Sequence, residues 1–190
     1  TGEDKWKRES RYSYPLAFSP DGTTIVIPEK EGELVFSDVA TGDRKHTLSF
    51  TGEFLRRCCF SADGSKLAFS CEVKFKDPDS GKTEKRIHLA MVTPSDGKTL
   101  WCVNTDRRFN WDLRFSPDGE WVVLVSSKPS DSDQDLILFD PETGRTLGVI
   151  QAKGLYYPLS FSGDGQRIAA GRAVLDVAEI KKRLAGTEAP

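Results

Sequence analysis

The pentapeptide Phe-Ser-x-Asp-Gly occurs four times in this chain of 190 residues, at 18–22, 60–64, 115–119 and 161–165. Successive motif phenylalanines are 42, 55 and 46 residues apart. Self-similarity at that period means one supersecondary unit used repeatedly, and units of that size bury their apolar faces only by stacking on one another. Each motif has the chemistry of a tight turn: glycine accepts positive φ, and aspartate can hydrogen-bond backbone just downstream. Asp21, Asp63, Asp118 and Asp164 could instead be metal or catalytic carboxylates, but their shared place in a hairpin argues for a structural role.

Counting from each motif Phe exposes the strands. Seven residues on stand Ile25, Leu67, Val122 and Ile168, nine residues on stand Ile27, Phe69, Leu124 and Ala170, and between them lie Val26, Ala68, Val123 and Ala169. A strand apolar at consecutive positions is covered on both faces. Two residues before each Phe, Leu16, Cys58, Leu113 and Leu159 share a face with it on the preceding strand. The expected class is all-β: a propeller of about four four-stranded antiparallel blades, near 11–50, 53–104, 107–151 and 154–180.

A second element recurs on the third strand. Residues 34–42 (LVFSDVATG) and 136–144 (LILFDPETG) match closely, and 174–178 (VLDVA) repeats the aspartate. With the four turns, this pattern resembles the WD-repeat family and related propellers carrying a Phe-Ser-Pro-Asp-Gly turn. The resemblance spans essentially the whole chain. It implies a blade architecture and a non-enzymatic, protein-binding scaffold. At the family's Trp position stand Ser37, Phe139 and Leu175, and the Gly-His pair is absent, so blade stacking is expected to rest on apolar packing.

Thr1-Gly2-Glu3 matches the Thr-Gly pairs that end the other third strands, so 1–10 is expected to be an outer strand with Trp6 as its packing residue. The last blade shows no clear fourth strand, and the basic run 181–183 sits in a short helix-prone tail. Two arrangements fit: a small closed ring fastened by the N-terminal strand, or a segment of a seven- or eight-bladed propeller whose remaining blades or domains are covalently linked and missing. The uncommonness of four-bladed rings and the absence of an initiator Met favour the segment. Residues 74–85 read as an exposed hairpin or loop, either a tolerated insertion or a functional one. The acids of 126–135 lack the Gly and distal Glu of a calcium loop.

A formal charge of −2 gives no bulk attraction to nucleic acid or anionic membrane. The longest apolar runs are too short to cross a bilayer. No signal-peptide pattern opens the chain, although its start at Thr1 leaves a preceding leader open. Cys58 and Cys59 are adjacent, and Cys71 and Cys102 lie in strand-like runs, so the four read as buried thiols. That favours a reducing compartment such as the cytoplasm. Neither zinc spacing nor an enzyme motif occurs, and with only His46 and His88 available no triad can be argued; no cofactor is expected.

The residues just upstream of each motif should form one rim. Four positions before the Phe stand Tyr14, Arg56, Trp111 and Tyr157, accompanied by Arg11, Tyr12, Phe54, Arg57, Arg107, Arg108, Phe109, Lys153 and Tyr156. Tyr, Trp and Arg dominate binding hot spots. The expected partner surface therefore comprises Tyr14, Arg56, Arg57, Arg108, Trp111 and Tyr157, with a protein partner, most simply an acidic one. Alternatively, these aromatics pack between blades and the arginines are solvated. RNA gripped by stacking and phosphate contact is disfavoured by the net charge. A competing functional reading is an accessory or gating propeller of a larger enzyme such as a hydrolase.

Overall fold

The computed structural model describes residues 5–7, 16–76, 78, 81–105, 107, 109–127, 134–151 and 154–187, the side chain of 187 apart. Among the described residues it is all-β, with four blade-like antiparallel sheets and one helix. Sheet one runs β1 (Ala17–Phe18), β2 (Thr24–Pro28), β3 (Glu33–Asp38), β4 (Arg44–Ser49); sheet two runs β5 (Leu55–Phe60), β6 (Leu67–Lys76), β7 (Thr83–Val92), β8 (Thr99–Asn104). Sheet three runs β9 (Phe109–Phe115), β10 (Val122–Ser127), β11 (Asp135–Phe139), β12 (Thr146–Gln151); sheet four has β13 (Leu159–Phe161), β14 (Arg167–Ala170) and β15 (Ala173–Asp176), followed by helix α1 (Val177–Thr187). The chain divides into two compact units, Thr1–Thr105 and Asp106–Pro190, each holding two sheets. Among the described residues no helix is long and apolar enough to cross a membrane.

All four motifs form the expected turn, and the serine does as much as the aspartate. Ser19, Ser61, Ser116 and Ser162 each donate Oγ–H to the motif Asp at 2.5–2.6 Å. Each Oγ also accepts the backbone N–H five residues on at 2.9 Å. The Asp in turn accepts the N–H two residues on at 3.0–3.1 Å, and the motif Gly sits at φ 69–75°. One hydroxyl and one carboxylate thus satisfy turn amides that no strand can reach.

One packing rule operates within each unit. In the first, Val26, Leu34, Phe36 and Leu48 of sheet one form a core with Cys58, Leu67, Phe69, Ala90 and Val92 of sheet two. In the second, Val123, Val125, Leu136 and Leu138 of sheet three form a core with Leu159, Ile168 and Ala170 of sheet four. Both times the face eight residues after the motif Phe meets the face seven and nine residues after the next. β2, β6 and β10 are accordingly buried at successive positions. β14 departs from that expectation: Ile168 and Ala170 are buried but Arg167 and Ala169 are exposed, as a charge and a methyl at outward positions allow. Leu16 is also exposed where its counterparts Cys58, Leu113 and Leu159 are buried, and Phe18 is exposed where Phe60, Phe115 and Phe161 are half-buried.

Three of the four third strands run into a common aspartate, with two outcomes. Asp38 Oδ1 accepts the N–H of Ala40 and Thr41, and Asp140 Oδ1 those of Glu142 and Thr143. Four residues later Gly42 (φ 79°) and Gly144 (φ 72°) donate back to the aspartate carbonyl at 2.9 Å and reverse the chain into a fourth strand. Asp176 likewise accepts from Ala178 and Glu179, but the fourth position is Ile180, so the turn continues as α1. Val177 and Ile180 enter the unit's core, Leu184 presses on the bare Cα of Gly148, and Lys181 ion-pairs with Asp118 and Glu120.

Candidate interaction surface

Of the six residues expected on the rim, Tyr14 and Arg108 lie outside the described residues. Trp111 and Tyr157 come together in the second unit. Trp111 is the third residue of β9, and Tyr157 lies in the segment leading to β13. Two buried side chains position that segment: Asp112 accepts the N–H of Leu159 at 2.8 Å, and Gln134 accepts the N–H of Tyr157 at 3.1 Å. The Tyr157 ring is thereby laid parallel to Trp111, centroids 5.3 Å apart and planes 6° apart. Phe109 extends the stack on Trp111 at 5.9 Å and 27°. Beside it Arg107 and Asp135 form a buried ion pair at 2.7 Å, so the arginine's charge is neutralised inside the fold.

The stack is open to solvent: Phe109 is 47%, Tyr157 51% and the neighbouring Tyr156 42% exposed. Trp111 Nε1–H reaches Ser127 Oγ at 3.5 Å. Parallel, offset rings at these spacings attract one another. The ladder is therefore a pre-ordered apolar platform.

Arg56 and Arg57 belong to the first unit and serve internal partners. Arg56 ion-pairs with the buried carboxylate of Glu72, which also takes Lys85 Nζ at 3.1 Å, and Arg57 donates to the Arg56 carbonyl at 2.7 Å. Phe54 lies beneath both cations, 5.2 Å from Lys85 Nζ and 6.0 Å from the Arg56 guanidinium. Among the described residues, those of the second unit thus expose aromatic rings, while Arg56 and Arg57 of the first are engaged by internal partners.

Among the described residues, desolvation shifts the pKa values of two cysteines and both histidines toward their neutral forms. Cys102, exposed rather than buried as expected, lies 3.8 Å from His88 Nδ1, and partial desolvation of the two groups pushes the thiol pKa up and that of His88 down. Both shifts oppose the thiolate–imidazolium pair of a cysteine nucleophile. Cys71 is pushed by burial up to about 12. A groove of about 410 Å³ between the first two motif turns is lined by Asp21, Asp63, His46 and Phe60 among others. Both carboxylates are engaged by their own turns, and burial holds the His46 pKa down. Among the described residues no three His, Cys, Asp or Glu side chains cluster as a metal site would need.

Sequence reading missed Asp112 and Gln134. A signal for Asp112 existed: it stands three before the motif Phe, where the other repeats have Pro15, Arg57 and Pro158.

No protein-family model matches the chain, and neither does any curated protein. Among solved structures it is similar to hydrazine synthase from Kuenenia stuttgartiensis, with a TM-score of 0.46 and 14% identity, over 80% of this chain and 53% of that one.

Proposed function

We propose that this chain is part of a divergent WD-repeat-like propeller and works as a non-enzymatic scaffold that binds a protein partner. The observation that carries this reading is the solvent-open Phe109–Trp111–Tyr157 stack. Aromatic rings held in place bring large contact area without the cost of ordering them on binding. Buried Asp112 and Gln134 act as positioning residues for it.

Selection of a displayed peptide library on the immobilised chain tests this. Wild type should enrich defined sequence families, and Phe109→Ala and Tyr157→Ala, both at exposed positions, should lose them while keeping the wild-type circular dichroism. Equal enrichment on folded wild type and both variants would remove the platform as the binding surface.

A further inference from the structure

The aromatic platform has an ionic counterpart in the first unit. β5 and β9 each carry one extra residue in their pairing with the next strand: Arg56 falls between Leu55↔Cys71 and Arg57↔Ser70, and Trp111 between Asp112↔Val125 and Asn110↔Ser126. Both stand four residues before the motif Phe. A bulge of this kind re-aims its side chain out of the regular ladder. Residues at matched offsets then meet it. Two residues upstream of the bulge lie Phe54 and Phe109, and twelve after the motif Phe lie Glu72 and Ser127.

The arrangement repeats while the chemistry changes. In the first unit the Arg56 guanidinium lies 6.0 Å from the Phe54 ring centroid and pairs with the buried Glu72 carboxylate. In the second, the Trp111 ring stacks on Phe109 at 5.9 Å and directs Nε1–H to Ser127 Oγ at 3.5 Å. Tryptophan for arginine and serine for glutamate thus put an indole and a hydroxyl where the first unit holds an ion pair. Tyr157 adds a third uncharged ring, and the charge of the nearby Arg107 is taken by Asp135.

That exchange narrows what the platform accepts. A cation on these rings would lack the carboxylate that fixes Arg56 on Phe54, and a carboxylate would meet the negative faces of the rings. An uncharged segment with flat apolar side chains meets neither obstacle. Proline supplies such side chains, and the polyproline II helix is ordered before it binds. Its three residues per turn rise about 9 Å, so prolines along one side reach successive rings of the stack.

We propose that the Phe109–Trp111–Tyr157 platform takes an uncharged, proline-rich segment of a partner protein in the polyproline II conformation. This rests on the reading of the platform as the binding surface and names the class of segment bound there.

The test is a fluorescence-anisotropy titration of the full chain with a labelled Ala-Pro-Pro repeat peptide, an Ala-Gly-Gly repeat of equal length and an oligouridine RNA. The proline repeat should bind and change little as salt rises. The glycine repeat must be ordered on binding and should be at least about tenfold weaker, and Tyr157→Ala should weaken the proline repeat by a similar factor. Amide exchange over 109–111 in the wild type should slow on binding, a readout that needs no variant. Equal binding of the two repeats, tighter binding of the RNA, or no binding of the proline repeat would overturn the proposal. So would binding that falls steeply with salt, as contacts led by charges such as Arg108 or Lys153 would. The peptide selection separates the two failures. Families poor in proline but lost in Phe109→Ala and Tyr157→Ala would end the proline class and leave the platform, whereas families kept in both variants would end the platform itself.

Discussion

Ser61 and Asp63 carry at residue level what the repeat carries as a whole. The Ser61 hydroxyl, ahead of the Ser65 backbone amide, stabilises the ionised Asp63 carboxylate and lowers its pKa from 3.8 to about 2. Asp21 and Asp164 are lowered in the same way, with Ser19 and Ser162 foremost. A carboxylate with a depressed folded pKa adds stability above its unfolded pKa and loses it as pH falls through the folded one. The chain should therefore lose stability between about pH 4 and pH 2, read as a falling thermal midpoint by circular dichroism. Ser61→Ala should flatten that acid dependence and cost about 1–3 kcal/mol at neutral pH, because the Lys66 N–H loses its side-chain acceptor. An unchanged acid profile in Ser61→Ala would show that the hydroxyl does not hold the carboxylate. The turn was legible because Gly and Asp recur at fixed offsets. The serine's double role was not, since a hydroxyl's partners depend on which amides the fold leaves open.

At the scale of elements, one residue separates a hairpin from a helix. Asp38, Asp140 and Asp176 make the same first turn, and the chain reverses where the fourth position is glycine. Ile180 lacks glycine's access to positive φ and has a core site to fill, so the chain coils onward. Ile180→Gly should melt much of α1 and cost about 3–6 kcal/mol, from the lost buried side chain and the helix penalty. The measurements are the helical dichroism signal and the denaturant midpoint. A loss below about 0.5 kcal/mol would mean that α1 does not hold sheet four. The strands themselves were legible from the apolar runs at 25–27, 67–69 and 121–125. The exposed face of β14 was not: alanine is as common inside as outside, so Ala169 gave no orientation. The stacking of Trp111 on Tyr157 was only half legible, because the shared offset placed both upstream of a motif while the clamp that pairs them, Asp112, does not repeat.

Over the whole molecule, the repeated packing rule extends to residues outside any described strand. Trp6 stands four residues after Gly2 as His46 stands four after Gly42. In the structure the Trp6 ring covers Gly42 and donates Nε1–H to the Val39 carbonyl at 2.9 Å, much as His46 lies beside Gly97. Sequence offset alone thus predicted a packing role for Trp6; of the strand expected over 1–10, residues 5–7 are irregular and the others lie outside the described residues. The same rule builds a separate core in each unit, one around Phe36 and Phe69 and the other around Val123, Leu138 and Ile168. Clusters of this kind open as cooperative units in native-state exchange. Phe36→Ala, which empties a fully buried site of the first core, should cost about 3–5 kcal/mol. If each core is its own cooperative unit, amide exchange should accelerate across sheets one and two and stay near wild type in sheets three and four. Leu138→Ala should show the reverse pattern. Uniform acceleration across all four sheets in either variant would mean that the two cores melt as one.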